Sequence, residues 1–198
     1  MVDVGANDGG FSTEIRKLGY AGRIISFEPL TEPFKSLQAK AARDANWDVV
    51  QNAVGDSCGQ VVVNISGNAG LSSSILPMLE SHTEVEPRSQ YIGRETVSQV
   101  RLDDYLSKED IGGGAFLKVD VQGYERAVLN GATDLFKLGL FRGMQLELSL
   151  VPLYEGAMSF RDGLDAAEDL GMTLMGLDPV FSDPKSGQLL QVDAVFFF

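Results

Sequence analysis

The sequence predicts an α/β fold: one mostly parallel, twisted sheet with helices on both faces and an antiparallel C-terminal strand. Three observations predict it. Short apolar runs alternate with helical patterns along most of the chain, as strand–helix–strand units do. The first run, "VDV", leads directly into "GANDGG", a glycine-rich elbow of the kind that joins a first strand to its helix. The last two apolar runs, "MTLMGLD" and "LLQVDAVFFF", flank "PVFSDPKSGQ", whose Pro, Asp and Gly content signals a turn between antiparallel neighbours.

After the elbow, Phe11, Ile15 and Leu18 recur at helical spacing and Gly19 closes the pattern. "RIISFEP" reads as a buried strand, and "TEPFKSLQAKAARDA" as a helix capped by Thr31, with Pro33 tolerated in its first turn. "DVVQNAV" reads as a third strand. The rhythm then changes, because "GQVVVNIS" and "ETVSQVRL" look like strands around a Ser/Gly-rich stretch without a period. Residues 66–100 are therefore expected to be a loop-rich insertion in a single domain spanning 1–198. Alternation resumes with "AFLKVDV" as strand, "YERAVLNGA" as helix, "FRGMQLELS" as strand and "SFRDGLDAAEDLG" as helix.

Composition narrows the function classes. A net charge of −12 would repel a phosphate backbone, so nucleic acid is not an expected partner. No apolar stretch reaches the roughly 20 residues of a membrane span, and no secretory signal opens the chain. Cys58 is the one cysteine, which excludes an internal disulfide and a multi-cysteine zinc site and fits a reducing cytoplasm.

The elbow places Gly5, Asn7 and Gly10 where the dinucleotide fingerprint has three glycines. Asn keeps the left-handed turn but puts a side chain where a pyrophosphate needs bare backbone, which favours a nucleoside ligand without phosphates. Glu28 ends the second strand, near the offset at which a carboxylate meets a ribose diol. A nicotinamide-dependent oxidoreductase is the rival reading, and Asn7 weighs against it.

Together "VDVGANDGGFS", "SFEP", "NAVGD", "VRLDDYL", "LKVDVQGYERAVLNGA" and "SGQLLQVDAVFFF" resemble the FkbM-type S-adenosylmethionine-dependent methyltransferases, in order across nearly the whole chain. The resemblance implies a class I, Rossmann-like methyltransferase fold and methyl transfer to a hydroxyl oxygen of a small molecule or saccharide. By position it places Asp3, Gly5 and Asn7 at the methionine end of the cofactor, Glu28 on the ribose, Asn52 near the adenine, and Asp120 facing the sulfonium and the acceptor. Two departures accompany it. Gln122 stands where the family usually has Glu, which keeps open a cofactor-binding module without catalysis. The first strand also opens the chain without the helix that commonly precedes it, as expected of a trimmed or a minimal form.

Other candidates have plainer readings beside the chemical one. Glu125 sits in an early helical turn, where a carboxylate complements the helix dipole as readily as it acts on substrate. A lone loop histidine such as His82 is more often solvated than catalytic. Asp120 and Glu147 end successive strands and offer oxygen ligands to a magnesium-type cation, although the reading adopted assigns no metal. Acceptor specificity is expected in residues 66–100, separate from the cofactor pocket, and in the tip from Val180 to Gly187.

Overall fold

A computed structural model describes residues 1–198. In chain order the elements are β1 (Val2–Val4), α1 (Gly10–Lys17), β2 (Ile24–Phe27), α2 (Thr31–Ala41), β3 (Trp47–Val50), β4 (Ala53–Val54) and β5 (Gly59–Ser66). Next come α3 (Glu80–Thr83), a 3₁₀ turn at Pro87–Ser89, β6 (Tyr91–Val100), α4 (Leu102–Tyr105), α5 (Lys108–Ile111), β7 (Ala115–Val119) and α6 (Glu125–Asn130). The chain closes with α7 (Thr133–Lys137), β8 (Phe141–Ser149), α8 (Phe160–Asp169), β9 (Thr173–Ser182) and β10 (Leu189–Phe197).

Seven strands form the main sheet in the order β3-β2-β1-β7-β8-β10-β9. The pairs from β3 to β8 are parallel, and β10 runs antiparallel to both β8 and β9. The expected α/β architecture, with its antiparallel last strand, is therefore present. Winding reverses between β1 and β7, and the crevice above that reversal is where such sheets bind ligands.

One face of the sheet carries the main core, in which Val2, Val4, Phe27, Leu117, Val119 and Leu146 belong to a cluster of 26 buried residues. The opposite face is more polar under α1, because strand pleating turns Asp3, Ser26 and Lys118 toward it. Beside them Ala6, Ile24, Leu37, Ala41 and Trp47 pack beneath α2.

Several elements differ from the sequence reading. The third strand is split: β3 ends at Val50, and Ala53–Val54 joins β5 and β6 in a separate sheet of order β4-β6-β5. Within the interval 66–100 the strand read at "ETVSQVRL" is present antiparallel to β5, but it starts earlier, at Tyr91, and ends at Val100. What lacks a sheet partner over most of its length is the strap from Gly67 to Gln90. α1 also does not bury its apparent stripe. Ser12 is its buried residue, whereas Leu18 is 78% exposed, because the face below is polar and Ser12 matches it. Thr31 is the first residue of α2 rather than its cap; its N–H and hydroxyl donate to Glu95 of β6. No helix is long and apolar enough to cross a membrane.

Candidate functional site

Above the β1/β7 reversal lies a cleft with about 690 Å³ of empty space. Gly5, Asn7, Glu28, Asn52 and Asp120 all line it, joined by Phe27, Val54, Tyr124, Gln122 and the strap residues Gly70, Leu71, Ser73, Ser74 and Ile75. The elbow is drawn over the sheet by two main-chain bonds, since the N–H groups of Gly5 and Ala6 both donate to the Phe27 carbonyl at 3.0 Å. Asn7 takes the left-handed conformation at φ 46°. Gly5 has φ +79°, and a Cβ there would fall 1.7 Å from the Asp120 carbonyl oxygen. The glycine is therefore required by the close approach of the elbow to the end of β7, whatever occupies the cleft.

Glu28 is 5% exposed and holds the floor of the cleft together. One carboxylate oxygen accepts the Asn7 N–H and the other the Leu30 N–H, each at 2.8 Å. Burial nevertheless pushes its pKa up to about 7, against the lowering effect of those bonds. Each oxygen keeps a further lone pair, so a diol in the cleft has an acceptor at the end of β2.

At the other end a side-chain network surrounds Asp120. The Gln122 amide donates to Asp120 Oδ1 at 2.9 Å and also to Glu147 Oε2, while its own oxygen accepts the Tyr154 hydroxyl at 2.7 Å. Gln191 adds a second amide donor to Glu147 Oε2 at 2.8 Å. Burial, then the nearby carboxylates of Asp120, Glu125 and Asp193, push the Glu147 pKa well above its ordinary value. The Gln122 amide thus lies between Asp120 and Glu147, the two carboxylates considered from the sequence as cation ligands. Gln122 reaches this position at φ 55°.

Asp3 is a correction. It does not line the cleft but lies fully buried behind it, where its Oδ2 accepts the hydroxyls of Ser12 at 2.7 Å and Ser26 at 3.2 Å. As the middle residue of β1 it points to the face under α1, where it meets Ser12 of that helix and Ser26 of the neighbouring strand β2. Glu125 is likewise turned inward. It accepts the N–H groups of Val121 and Gly123 and stabilises the turn after β7, with its pKa raised by burial to about 7. His82 is 2% exposed rather than solvated; its ring packs 5.3 Å from both Tyr154 and Phe181, and burial lowers its pKa to about 4. It anchors the strap against the end of β9.

The strap reaches the cleft. Ser74 pairs with Asn64 of β5 and donates its hydroxyl to the Gln122 carbonyl at 2.7 Å, so the strap roofs the same cleft that Glu28 and Asn52 floor. Strap residues and elbow residues therefore line one cleft. Sequence reasoning missed Tyr154 and Lys118; a lysine inside the apolar run "AFLKV" was the available signal for the second.

The model of the methyltransferase FkbM domain matches residues 3–173. The chain belongs to the FkbM methyltransferase family, an S-adenosylmethionine-dependent family. It is 31% identical over 155 residues to the 31-O-demethyl-FK506 methyltransferase FkbM of Streptomyces tacrolimicus, covering 68% of this chain and 59% of that protein. It is 26% identical over 171 residues to the 2-O-methyltransferase NoeI of Sinorhizobium fredii, covering 83% of this chain and 69% of that one. Among solved structures it is similar to a methyltransferase FkbM from Methylobacillus flagellatus, with a TM-score of 0.58 at 16% identity, over 100% of this chain and 43% of that chain. It is also similar to the magnesium protoporphyrin IX methyltransferase of Synechocystis, with a TM-score of 0.51 at 11% identity, over 100% of this chain and 69% of that one. Both likenesses establish the fold, a class I methyltransferase sheet.

The cleft suits the donor of that family. Glu28, after β2, and Asp120, after β7, line it from the two strands that flank β1, apolar Phe27, Val54 and Ile75 join them, and neither Lys nor Arg is in its lining. A pyrophosphate would meet two carboxylates and no cation, whereas a cationic sulfonium meets no such opposition.

Proposed function

We propose that this FkbM-family chain transfers the methyl group of S-adenosylmethionine to a hydroxyl oxygen of an uncharged small molecule or saccharide. The observation that carries the reading is that Glu28 and Asp120, from the two strands flanking β1, line one cleft with no cationic side chain in its lining. The O-methyltransferase names of the two curated relatives support oxygen as the acceptor.

Glu28 accepts the ribose hydroxyls, Asn7 and Gly5 shape the turn that receives the methionine end, and Asn52 borders the adenine. S-adenosylmethionine supplies an electrophilic methyl on a sulfonium. The chain supplies positioning and a destination for the hydroxyl proton, the two contributions that an in-line displacement needs. Asp120 is the residue placed for the second. Its side chain is one-third exposed, with Lys118 and Gln122 donating to its two oxygens, and the lone pairs left free accept the O–H of the acceptor. The strap shields that encounter from water through Ser73, Ser74 and Ile75.

The test is Asp120→Asn, assayed with labelled S-adenosylmethionine against a panel of methyl glycosides and small alcohols. Turnover is expected to fall by about 10²–10⁴, while cofactor affinity changes far less. Normal turnover by the variant would remove Asp120 from the chemistry.

A further inference from the structure

A buried ammonium sits behind the transfer end of the cleft. Lys118 is the fourth residue of β7, 5% exposed, in a strand otherwise made of apolar residues. Its Nζ lies 3.2 Å from the Gly5 carbonyl oxygen, 3.3 Å from Asp120 Oδ2 and 3.5 Å from Asp3 Oδ1, with the Phe11 ring centroid 5.4 Å away. Asp3 Oδ1 is buried and accepts no hydrogen bond, so this ammonium is its counter-charge. Burial pulls the Lys118 pKa down, but the Asp120 and Asp3 carboxylates push it up further, and the group stays protonated.

Gly5 and Asp120 line the cleft; Lys118 does not. Its charge therefore acts on a ligand only through space, one residue behind the lining, and within a low-dielectric layer where such a charge is poorly screened. Methyl transfer converts a sulfonium, charge +1, into a neutral thioether. A site that holds the cation too strongly stabilises the ground state against a transition state in which that charge is disappearing. Asp120 alone would push the cleft in that direction.

We propose that Lys118 is a specificity-determining residue for the donor, whose ammonium offsets Asp120 and sets how strongly the cleft prefers S-adenosylmethionine to S-adenosylhomocysteine. The proposal rests on the reading that Asp120 faces the sulfonium. Asp3, buried deeper, holds the ammonium in place from behind, and Asp120 is the carboxylate it meets on the cleft side.

Calorimetric titration with each of the two compounds tests this without any acceptor. Lys118→Gln keeps a donor for the Gly5 carbonyl and removes the charge, and it should raise the affinity ratio in favour of S-adenosylmethionine by about tenfold. Asp120→Asn should lower the ratio by a similar factor, and the double variant should return to within about threefold of the unmodified protein. A ratio that Asp120→Asn shifts but Lys118→Gln leaves unchanged overturns the proposal, as does an equal loss of both compounds in Lys118→Gln, which would mean a purely structural lysine. A ratio indifferent to Asp120→Asn overturns instead the placement of Asp120. Should Lys118→Gln not fold, Asp3→Asn combined with it removes the carboxylate left unpaired, and the ratio is read against that of Asp3→Asn alone, from which it should rise by about tenfold; failure of both to fold would assign the ammonium to the fold and reject the proposal.

Discussion

The two halves of the cleft are built from different materials. On the side of β1, β2 and β3, main chain does the positioning: both Glu28 oxygens accept backbone N–H groups, the elbow hangs from the Phe27 carbonyl, and Gly5 is bare because Asp120 passes behind it. On the side of β7, β8 and β10, side chains do it: Gln122 ties Asp120 to Glu147 and Tyr154, and Gln191 backs Glu147. A half made of backbone keeps its shape through most side-chain changes and fails abruptly where a dihedral or a close approach is violated. A half made of side chains can be re-specified one residue at a time, and each change costs a limited amount. The first arrangement suits a ligand end common to a whole family, and the second suits the end where the acceptor differs.

The largest effect that would separate them is at Gly5. Alanine there meets two penalties at once, a φ of +79° and a Cβ driven into a backbone oxygen that cannot rotate away. Gly5→Ala is expected to cost at least about 4 kcal/mol, enough to leave much of the chain unfolded at ordinary temperature. Chemical denaturation would measure it. A cost under about 1 kcal/mol would mean that elbow and β7 can part, and that the first half is not rigid in the sense argued.

The contrast also explains what could be read from the sequence. Glycine, asparagine and a strand-end acid at set intervals are a local signature, so Gly5, Asn7 and Glu28 were legible, and so was the strand–helix rhythm that builds the parallel sheet. The network at the other end was not. Gln122, Glu147, Tyr154 and Gln191 come from four places in the chain, and only the sheet order β7-β8-β10 brings them together. Asp3 was misplaced for a related reason. Motif position assigned it to the ligand, while pleating turned it toward Ser12 and Ser26, whose proximity no spacing rule shows. The stripe of Phe11, Ile15 and Leu18 misled because a helix laid on a polar patch need not bury its apolar side.

A pH titration of stability sharpens the comparison at the next magnitude. Glu28 in the first half and Glu125 in the second both have pKa values raised from 4.5 to about 7, and Asp193 beside Glu147 is raised to about 6. The folded protein then holds protons that the unfolded chain has released. That contribution is complete below about pH 4.5 and is lost as pH rises through 7. His82, lowered to about 4, works the other way: its contribution is complete above 6.5 and is lost as pH falls toward 4. The N-terminal ammonium, lowered from 8 to about 6 chiefly by burial, works in the same direction as His82, and the raised carboxyls outweigh the two, so stability measured in urea should fall by about 3 kcal/mol between pH 5 and pH 8. Glu28→Gln should remove a minority of that slope, because the second half carries more of the raised acids. A slope abolished by Glu28→Gln alone would reverse the assignment.

The smallest effect probes the second half alone. Tyr154 is 2% exposed, and its one hydroxyl hydrogen is shared between Gln122 Oε1 at 2.7 Å and the Ser72 carbonyl at 3.2 Å. Phenylalanine at this position keeps the ring against His82 and the packing with Leu153, so no cavity opens, and the loss is confined to two acceptors left without their donor. Such a loss costs about 1–2 kcal/mol, well below that of a backbone violation. Tyr154→Phe should therefore fold, lose that amount in urea, and free the Gln122 amide to turn away from Asp120. Because Glu28 and the elbow draw nothing from this hydroxyl, calorimetry with S-adenosylhomocysteine should find the affinity of the variant within about threefold of the unmodified protein. A tenfold loss of that affinity would show the two halves to be coupled through the strap, which Tyr154 meets at Ser72, at His82 and through its bridge to Met78.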